Sequence, residues 1–171
     1  MIAQLSPIIQ KIDTKTSIYN IKVNNLNGDS IQLSAYKDKY ILFVNVASKC
    51  GFTSQYKDLQ KLYTTYQDKL MVIGVPCNQF GNQELDTSNQ IQAFCEINYG
   101  VTFLMTEKLE VKGPNQHPLY QWLTKKHENG EIESSVQWNF QKYLIHPNGG
   151  LVDYYLSSTY PLNNKITQHL Q

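Results

Sequence analysis

The stretch "YILFVNVASKCGFTSQYKDLQKLYTTYQDKLMVIGVPC", residues 40–77, decides the fold. Its opening, residues 40–47, is nearly all apolar and too short for a helix, which reads as a strand buried on both faces. Tyr56, Leu59, Leu62, Tyr63 and Tyr66 then fall at helical spacing, with Thr53 or Ser54 as a natural N-cap. "LMVIGVPC", residues 70–77, is a second buried strand. Strand, helix and strand in this order make a βαβ unit, hence a parallel pair joined by a right-handed crossover.

Upstream, residues 17–33 alternate as two strands around Asn27-Gly28, residues that tolerate positive φ, and predict a hairpin. Downstream come an amide-rich loop, "NQFGNQELDT" (78–87), and a helix, "SNQIQAFCEINYG" (88–100), closed by Gly100. "HPLYQWLTKKH" (117–127) predicts a further short helix. "WNFQKYLIHPNGGLVDYYL" (138–156) predicts two strands around Pro147–Gly150, and "PLNNKITQHL" (161–170) a last helix with Pro161 in its first turn. The order predicts an α/β protein with a thioredoxin-like fold: an N-terminal β-hairpin, a central mixed β-sheet and flanking helices, one domain over 1–171.

The composition excludes several function classes. A net charge of +1 argues against nucleic-acid binding through bulk charge. No uninterrupted apolar run reaches membrane-spanning length, and "MIAQLSPIIQKIDTK" has neither the basic nor the apolar region of a secretory signal. Cys50, Cys77 and Cys95 are odd in number and widely spaced, unlike a secreted disulfide framework, so a reduced, cytoplasmic setting is expected. Neither they nor His117, His127, His146 and His169 show metal-ligand spacing.

Cys50 draws attention by its position. It follows a parallel strand at its carboxyl end, where open α/β sheets place ligands, and precedes a helix whose free N–H groups favour an anion. The neighbouring strand releases its loop at the same edge, so Asn78, Gln79, Asn82 and Gln83 offer neutral donors facing Cys50. Trp138 and Asn139 precede a later strand. Read without any family, Cys50 is balanced between an ordinary buried cysteine and a nucleophile.

"NVASKCGFT", "PCNQFGNQE" and "WNFQKYLI", in this order and spacing, resemble the glutathione peroxidase family, in the branch with cysteine in place of selenocysteine (the phospholipid-hydroperoxide-peroxidase-like enzymes). The resemblance implies a peroxidase whose catalytic tetrad falls on Cys50, Gln83, Trp138 and Asn139, with Asn78 and Gln79 in support and no bound cofactor or metal. Cys50 would attack hydrogen peroxide or an organic or lipid hydroperoxide and become a sulfenic acid. The resemblance further implies that Cys95 resolves it as an intramolecular disulfide, which a thioredoxin-type protein reduces. Cys77 is the weaker resolver. A disulfide needs Cα atoms within about 7 Å, so the helix carrying Cys95 is expected to shift or unwind in turnover.

Glutathione as reductant fits less well, because family members that use it bind its carboxylates largely through basic residues, arginine prominently, and this chain has none. The short segment "TKKHENGEIESSVQ" stands where tetrameric members have a longer insertion, implying a monomer. Leu85 occupies a position where members often have proline. Two other readings compete: a peroxide sensor that passes its disulfide to a partner protein, and a thioredoxin-fold binding module with a vestigial site.

Overall fold

The computed structural model describes residues 16–171. Its centre is a five-stranded mixed sheet in the order β5-β4-β3-β6-β7. The expected buried strands are β3 (Tyr40–Val46) and β4 (Leu70–Pro76), parallel and joined by α1 (Gln55–Tyr66). β6 (Lys142–Ile145) lies antiparallel on the other side of β3, and β7 (Leu151–Tyr155) antiparallel beyond it. Together with the closing helix α5 (Asn164–Thr167), these elements complete the thioredoxin-like arrangement.

Alternation along the central strands divides the interior into two apolar layers. Ile41 and Phe43 of β3, with Ile73 and Val75 of β4, face one layer. It is filled by Leu119, Tyr120, Trp122 and Leu123 of α3 (Pro118–Thr124) and by Ile18 and Leu33 from two short 3₁₀ turns. Leu42, Val44 and Val46, with Val72, face the other. There they meet Tyr56, Leu59 and Leu62 of α1, Ile91 and Cys95 of α2 (Ser88–Tyr99), and Ile166 and Leu170 near the end of the chain. A strand covered on both faces must be apolar at almost every position, which is why "YILFV" and "LMVI" read so clearly.

The N-terminal hairpin is present in reduced form, with β1 (Val23–Asn24) and β2 (Ser30–Ile31) contributing two residues each. Its turn uses the expected chemistry. Gly28 takes φ 86, its N–H donates to the Asn25 carbonyl (2.9 Å), and Asn25 Oδ1 accepts from the Asn27 and Asp29 amides. Gly100 likewise closes α2 in the left-handed region at φ 59.

Four details differ from the sequence reading. β5 (Leu104–Met105) pairs parallel with β4 at the sheet edge, too short to show any periodicity. Residues 117–127 form two helices, because Lys125 turns extended at φ −100, ψ 117 between α3 and α4 (Lys126–Asn129). Asn129 stabilises that break: its buried amide donates to the Trp122 carbonyl at the end of α3 and to the Ile132 carbonyl, both at 2.9 Å. The last helix starts later than Pro161, at Asn164, because Asn163 caps it by accepting from the Lys165 amide (2.9 Å). At α1 neither proposed residue caps the helix as expected: Ser54 makes no side-chain cap bond, and Thr53 serves the turn before it.

Leu42 is fully buried in the middle of β3, in the layer that α1 and α5 cover. Truncation to alanine is expected to cost about 2–5 kcal/mol, by lost burial and the cavity left behind, measurable as a lower urea midpoint at unchanged slope.

Candidate active site

β3 and β4 end together, in register from Tyr40↔Leu70 to Val46↔Pro76, so the loops that follow them leave from one edge. Cys50 lies in the first loop and is half-buried. It acts as a cap for the turn entering α1: its sulfur accepts the Phe52 amide (3.3 Å) and its carbonyl accepts the Thr53 amide (3.1 Å). Thr53 returns the bond, accepting the Cys50 amide at 2.9 Å, while its hydroxyl donates to the Ala47 carbonyl at 2.8 Å. These bonds fix the thiol in the turn that leads into α1, with an N–H aimed at sulfur.

The second loop is tied to the first at two points. The Lys49 amide, next to Cys50, donates to the Gln83 carbonyl (2.8 Å). Glu84 Oε1 accepts from the Ser48 amide (3.1 Å), the Ser48 hydroxyl (2.6 Å) and the Leu85 amide (2.9 Å). Glu84 is buried, and desolvation pushes its carboxyl above the usual range against those hydrogen bonds. Proline at position 85 would lack the N–H that Glu84 accepts here, so Leu85 adds a strut to the loop.

The Gln83 side chain turns toward Asn139, whose Nδ2 donates to Gln83 Oε1 at 3.0 Å. The Nε2 of Gln83 makes no hydrogen bond among the described residues, which leaves a neutral donor available at the site. Trp138 is 39% exposed and leans on Phe80 of the amide loop at 5.6 Å between ring centroids. The fold therefore links Gln83, Asn139 and Trp138 to one another and ties the Gln83 backbone to the residue preceding Cys50. Asn78 supports the loop by accepting the Glu84 amide (3.0 Å). Gln79 is directed elsewhere: its Oε1 accepts from Val111 (2.6 Å) and its Nε2 donates to the Lys112 carbonyl (2.9 Å).

The two remaining cysteines fall on opposite faces of the sheet. Cys95 is buried in the layer against which Cys50 also packs, whereas Cys77 is buried in the other layer. Burial pushes the Cys95 thiol up to about 11, and the Cys77 thiol is raised for the same reason. Among the described residues no group of three or more His, Cys, Asp or Glu is placed to hold a metal ion, and no helix is long and apolar enough to cross a membrane.

The glutathione peroxidase family pattern matches the chain over residues 18–124. The chain belongs to the glutathione peroxidase family. It is similar to glutathione peroxidase-like peroxiredoxin 2 of Saccharomyces cerevisiae, 42% identical over 157 residues that cover 91% of this chain and 96% of the relative. It is also similar to hydroperoxy fatty acid reductase gpx1 of Synechocystis, 44% identical over 151 residues covering 85% and 89% respectively. The crystal structure of T. cruzi GPX1 shares the fold at a TM-score of 0.71 and 28% identity, covering 91% of this chain and 94% of that one. This glutathione peroxidase family member is thus an oxidoreductase of the peroxidase type, in the peroxiredoxin-like branch that uses cysteine.

Sequence reasoning overlooked the polar residues that hold the peroxidase site in place. Asn45 is fully buried inside β3, where its amide donates to the Trp138 carbonyl (3.0 Å), and Glu84 is the one carboxylate in "NQFGNQE". The available signal was a polar residue inside an otherwise apolar strand and a charge inside a neutral loop. Glu84→Ala leaves two amides and a hydroxyl without their acceptor. It is expected to cost about 1–3 kcal/mol in urea denaturation and to slow hydroperoxide consumption. Glu84→Gln, which keeps an oxygen there, recovers most of both.

Proposed function

We propose that this peroxidase is a two-cysteine thiol peroxidase, with Cys50 as the peroxidatic and Cys95 as the resolving residue. The Cys50 thiolate attacks one peroxide oxygen. The O–O bond breaks, the leaving oxygen departs as alcohol or water on taking a proton, and Cys50 becomes a sulfenic acid. Gln83, Trp138 and Asn139 supply neutral donors to the thiolate and to the departing oxygen, where charge develops. Cys95 then attacks the sulfenic sulfur, the S–S bond forms and water leaves. A dithiol protein of the thioredoxin type exchanges with that disulfide and restores both thiols, in a reducing compartment such as the cytoplasm, with the enzyme acting as a monomer.

The observation that carries this reading is the sorting of the cysteines. Cys95 shares the apolar layer against which Cys50 packs, and Cys77 lies behind the sheet. The absence of arginine supports a protein reductant over glutathione, whose carboxylates suit a planar guanidinium fork. The half-exposed Cys50 and the half-exposed amide loop suit bulky hydroperoxides. The name of the Synechocystis relative points the same way, to fatty-acid hydroperoxides as one substrate class.

One equivalent of hydroperoxide added to the fully reduced protein is expected to remove two hydrogens, with peptide mapping placing them in a Cys50–Cys95 bridge. Oxygen gained on Cys50 without a bridge excludes Cys95 as resolver and returns glutathione as the reductant. Bridge formation on a time scale of minutes, with reduction only by one captured target protein, favours the sensor reading.

The pH dependence of bridge formation reports how Cys95 reaches Cys50. Cys95 is 2% exposed on the buried face of α2, a helix held by the Thr87–Gln90 capping box at one end and Gly100 at the other. Reaction from the closed helix would accelerate with every pH unit up to about 11, where burial holds the thiol. We expect the rate to level off instead near the ordinary thiol range, about 8.5, because α2 opens and hydrates Cys95 before it attacks.

A further inference from the structure

The carbonyls of Trp138, Asn139 and Phe140 each receive a side-chain donor, and each donor comes from a different part of the fold. Asn45 Nδ2 on β3 donates to the Trp138 carbonyl at 3.0 Å, and Lys142 Nζ on β6 donates to the Phe140 carbonyl at 2.7 Å. The Ser157 hydroxyl, just beyond β7, donates to the Asn139 carbonyl. The Ser157 carbonyl in turn accepts from Gln55 Nε2 (2.7 Å) at the start of α1, the helix that follows Cys50. Phe140 itself takes φ 63, a left-handed conformation that a bulky aromatic rarely adopts and that its surroundings must hold.

Lys142 is the costly member of this set. It is fully buried, it makes one hydrogen bond, and no carboxylate pairs with it among the described residues. Its register partners are Val44 on β3 and Tyr155 on β7, and the Tyr155 hydroxyl is turned away to the Lys165 carbonyl. From α1, Tyr56 meets Phe140 edge-on at 5.4 Å. Burial alone lowers the Lys142 amine to about 7, with no charged neighbour contributing. A neutral amine still donates an N–H, so the bond to Phe140 does not require the charge. An apolar side chain of similar length would fill the same space without desolvating an amine.

We propose that Lys142, with Asn45 and Ser157, is a positioning residue of the peroxidatic site: the three donors clamp the Trp138–Phe140 turn so that Asn139 meets Gln83. The inference rests on the roles given to Gln83 and Asn139 above. It assigns Lys142 no contact with the hydroperoxide; its effect passes through the backbone of the turn.

The test separates the two half-reactions. In Lys142→Met, stopped-flow oxidation of Cys50 by hydroperoxide is expected to slow about tenfold, the scale of a small misplacement of reacting groups. Reduction of the oxidised protein by a dithiol is expected to stay at the wild-type rate, and the urea midpoint at pH 7 to stay level or rise. Ser157→Ala is expected to show the same split and carries the test if the first variant does not fold. Oxidation at the wild-type rate in both variants, or slowing only in proportion to lost stability, overturns the proposal. Asn139→Ala serves as the control: if it too oxidises at the wild-type rate, the site reading has failed, whereas a slow Asn139→Ala beside a fast Lys142→Met overturns the clamp alone.

A pH series adds a second readout. The folded-state value of about 7 lies below the ordinary 10.5, so folding releases a proton between those limits. The penalty of burying the amine is therefore complete below pH 7, shrinks as pH rises from there, and vanishes above 10.5. The stability gained by Lys142→Met over wild type is expected to be largest near pH 6 and to fade toward pH 10. A gain that does not change with pH contradicts a buried amine that titrates.

Discussion

The parallel pairing of β3 with β4 sets where the chemistry can sit. Seven residue pairs run in register from Tyr40↔Leu70 to Val46↔Pro76, and both strands stop together. The loop that carries Cys50 and the loop that carries Gln83 therefore emerge side by side. Parallel strands need a long crossover, here α1, and a helix that returns to the sheet presents its N-terminus at the same edge. The thiol, the anion-favouring helix start and the amide loop are thus brought together by one backbone constraint. Side chains refine that placement: Lys49 holds the Gln83 carbonyl, and Glu84 holds Ser48.

The residues around this edge show what such precision costs. A buried polar group without a partner is worth about 1–3 kcal/mol of instability, a large part of the stability of a small domain. Yet Asn45, Glu84, Asn139 and Lys142 are all buried, and among the described residues Asn45 Oδ1, Glu84 Oε2 and Asn139 Oδ1 lack partners. Elsewhere in the two layers the same sheet is filled with Ile, Leu, Val and Phe. Concentration of expensive polar groups at one end of an otherwise apolar sheet is the mark of a site where orientation outweighs stability.

The sequence made the fold legible because the central elements obey simple periods. Strands covered on both faces appear as unbroken apolar runs, and α1 shows its buried stripe through Tyr56, Leu59 and Leu62. The two-residue β5 carries no period at all, and its place was set by pairing with Ile73 and Gly74. The break at Lys125 depends on Asn129 reaching back to Trp122, a contact no local propensity encodes. At the candidate site, the thiol and the amide donors were visible as motifs, but the residues that hold them in place were not. Lys142 lies in "QKYLI", part of a stretch that reads only as a strand, and the tertiary structure alone shows its amine turned inward to Phe140. Gln79 shows the converse. Its sequence position matches the site, but its side chain is committed to the Val111–Lys112 backbone.

The sheet also places the three thiols in different settings within a few strands of each other. Cys50 stands outside the layers, half-exposed, with the Phe52 amide directed at its sulfur. Cys95 and Cys77 are closed into opposite layers, where desolvation disfavours the thiolate and with it both nucleophilic attack and oxidation. Cys77 follows the end of β4, and its sulfur is held against Gln79, whose backbone amide donates to it at 3.5 Å. Cys95 lies on the buried face of a helix of twelve residues, Ser88–Tyr99, whose melting would expose it without disturbing a single strand pair. Local opening costs less than global unfolding, so a thiol carried by a peripheral helix can be exposed while the sheet stands. What covers each sulfur therefore sets its access to solvent and its tendency to ionise, more than the sulfur itself.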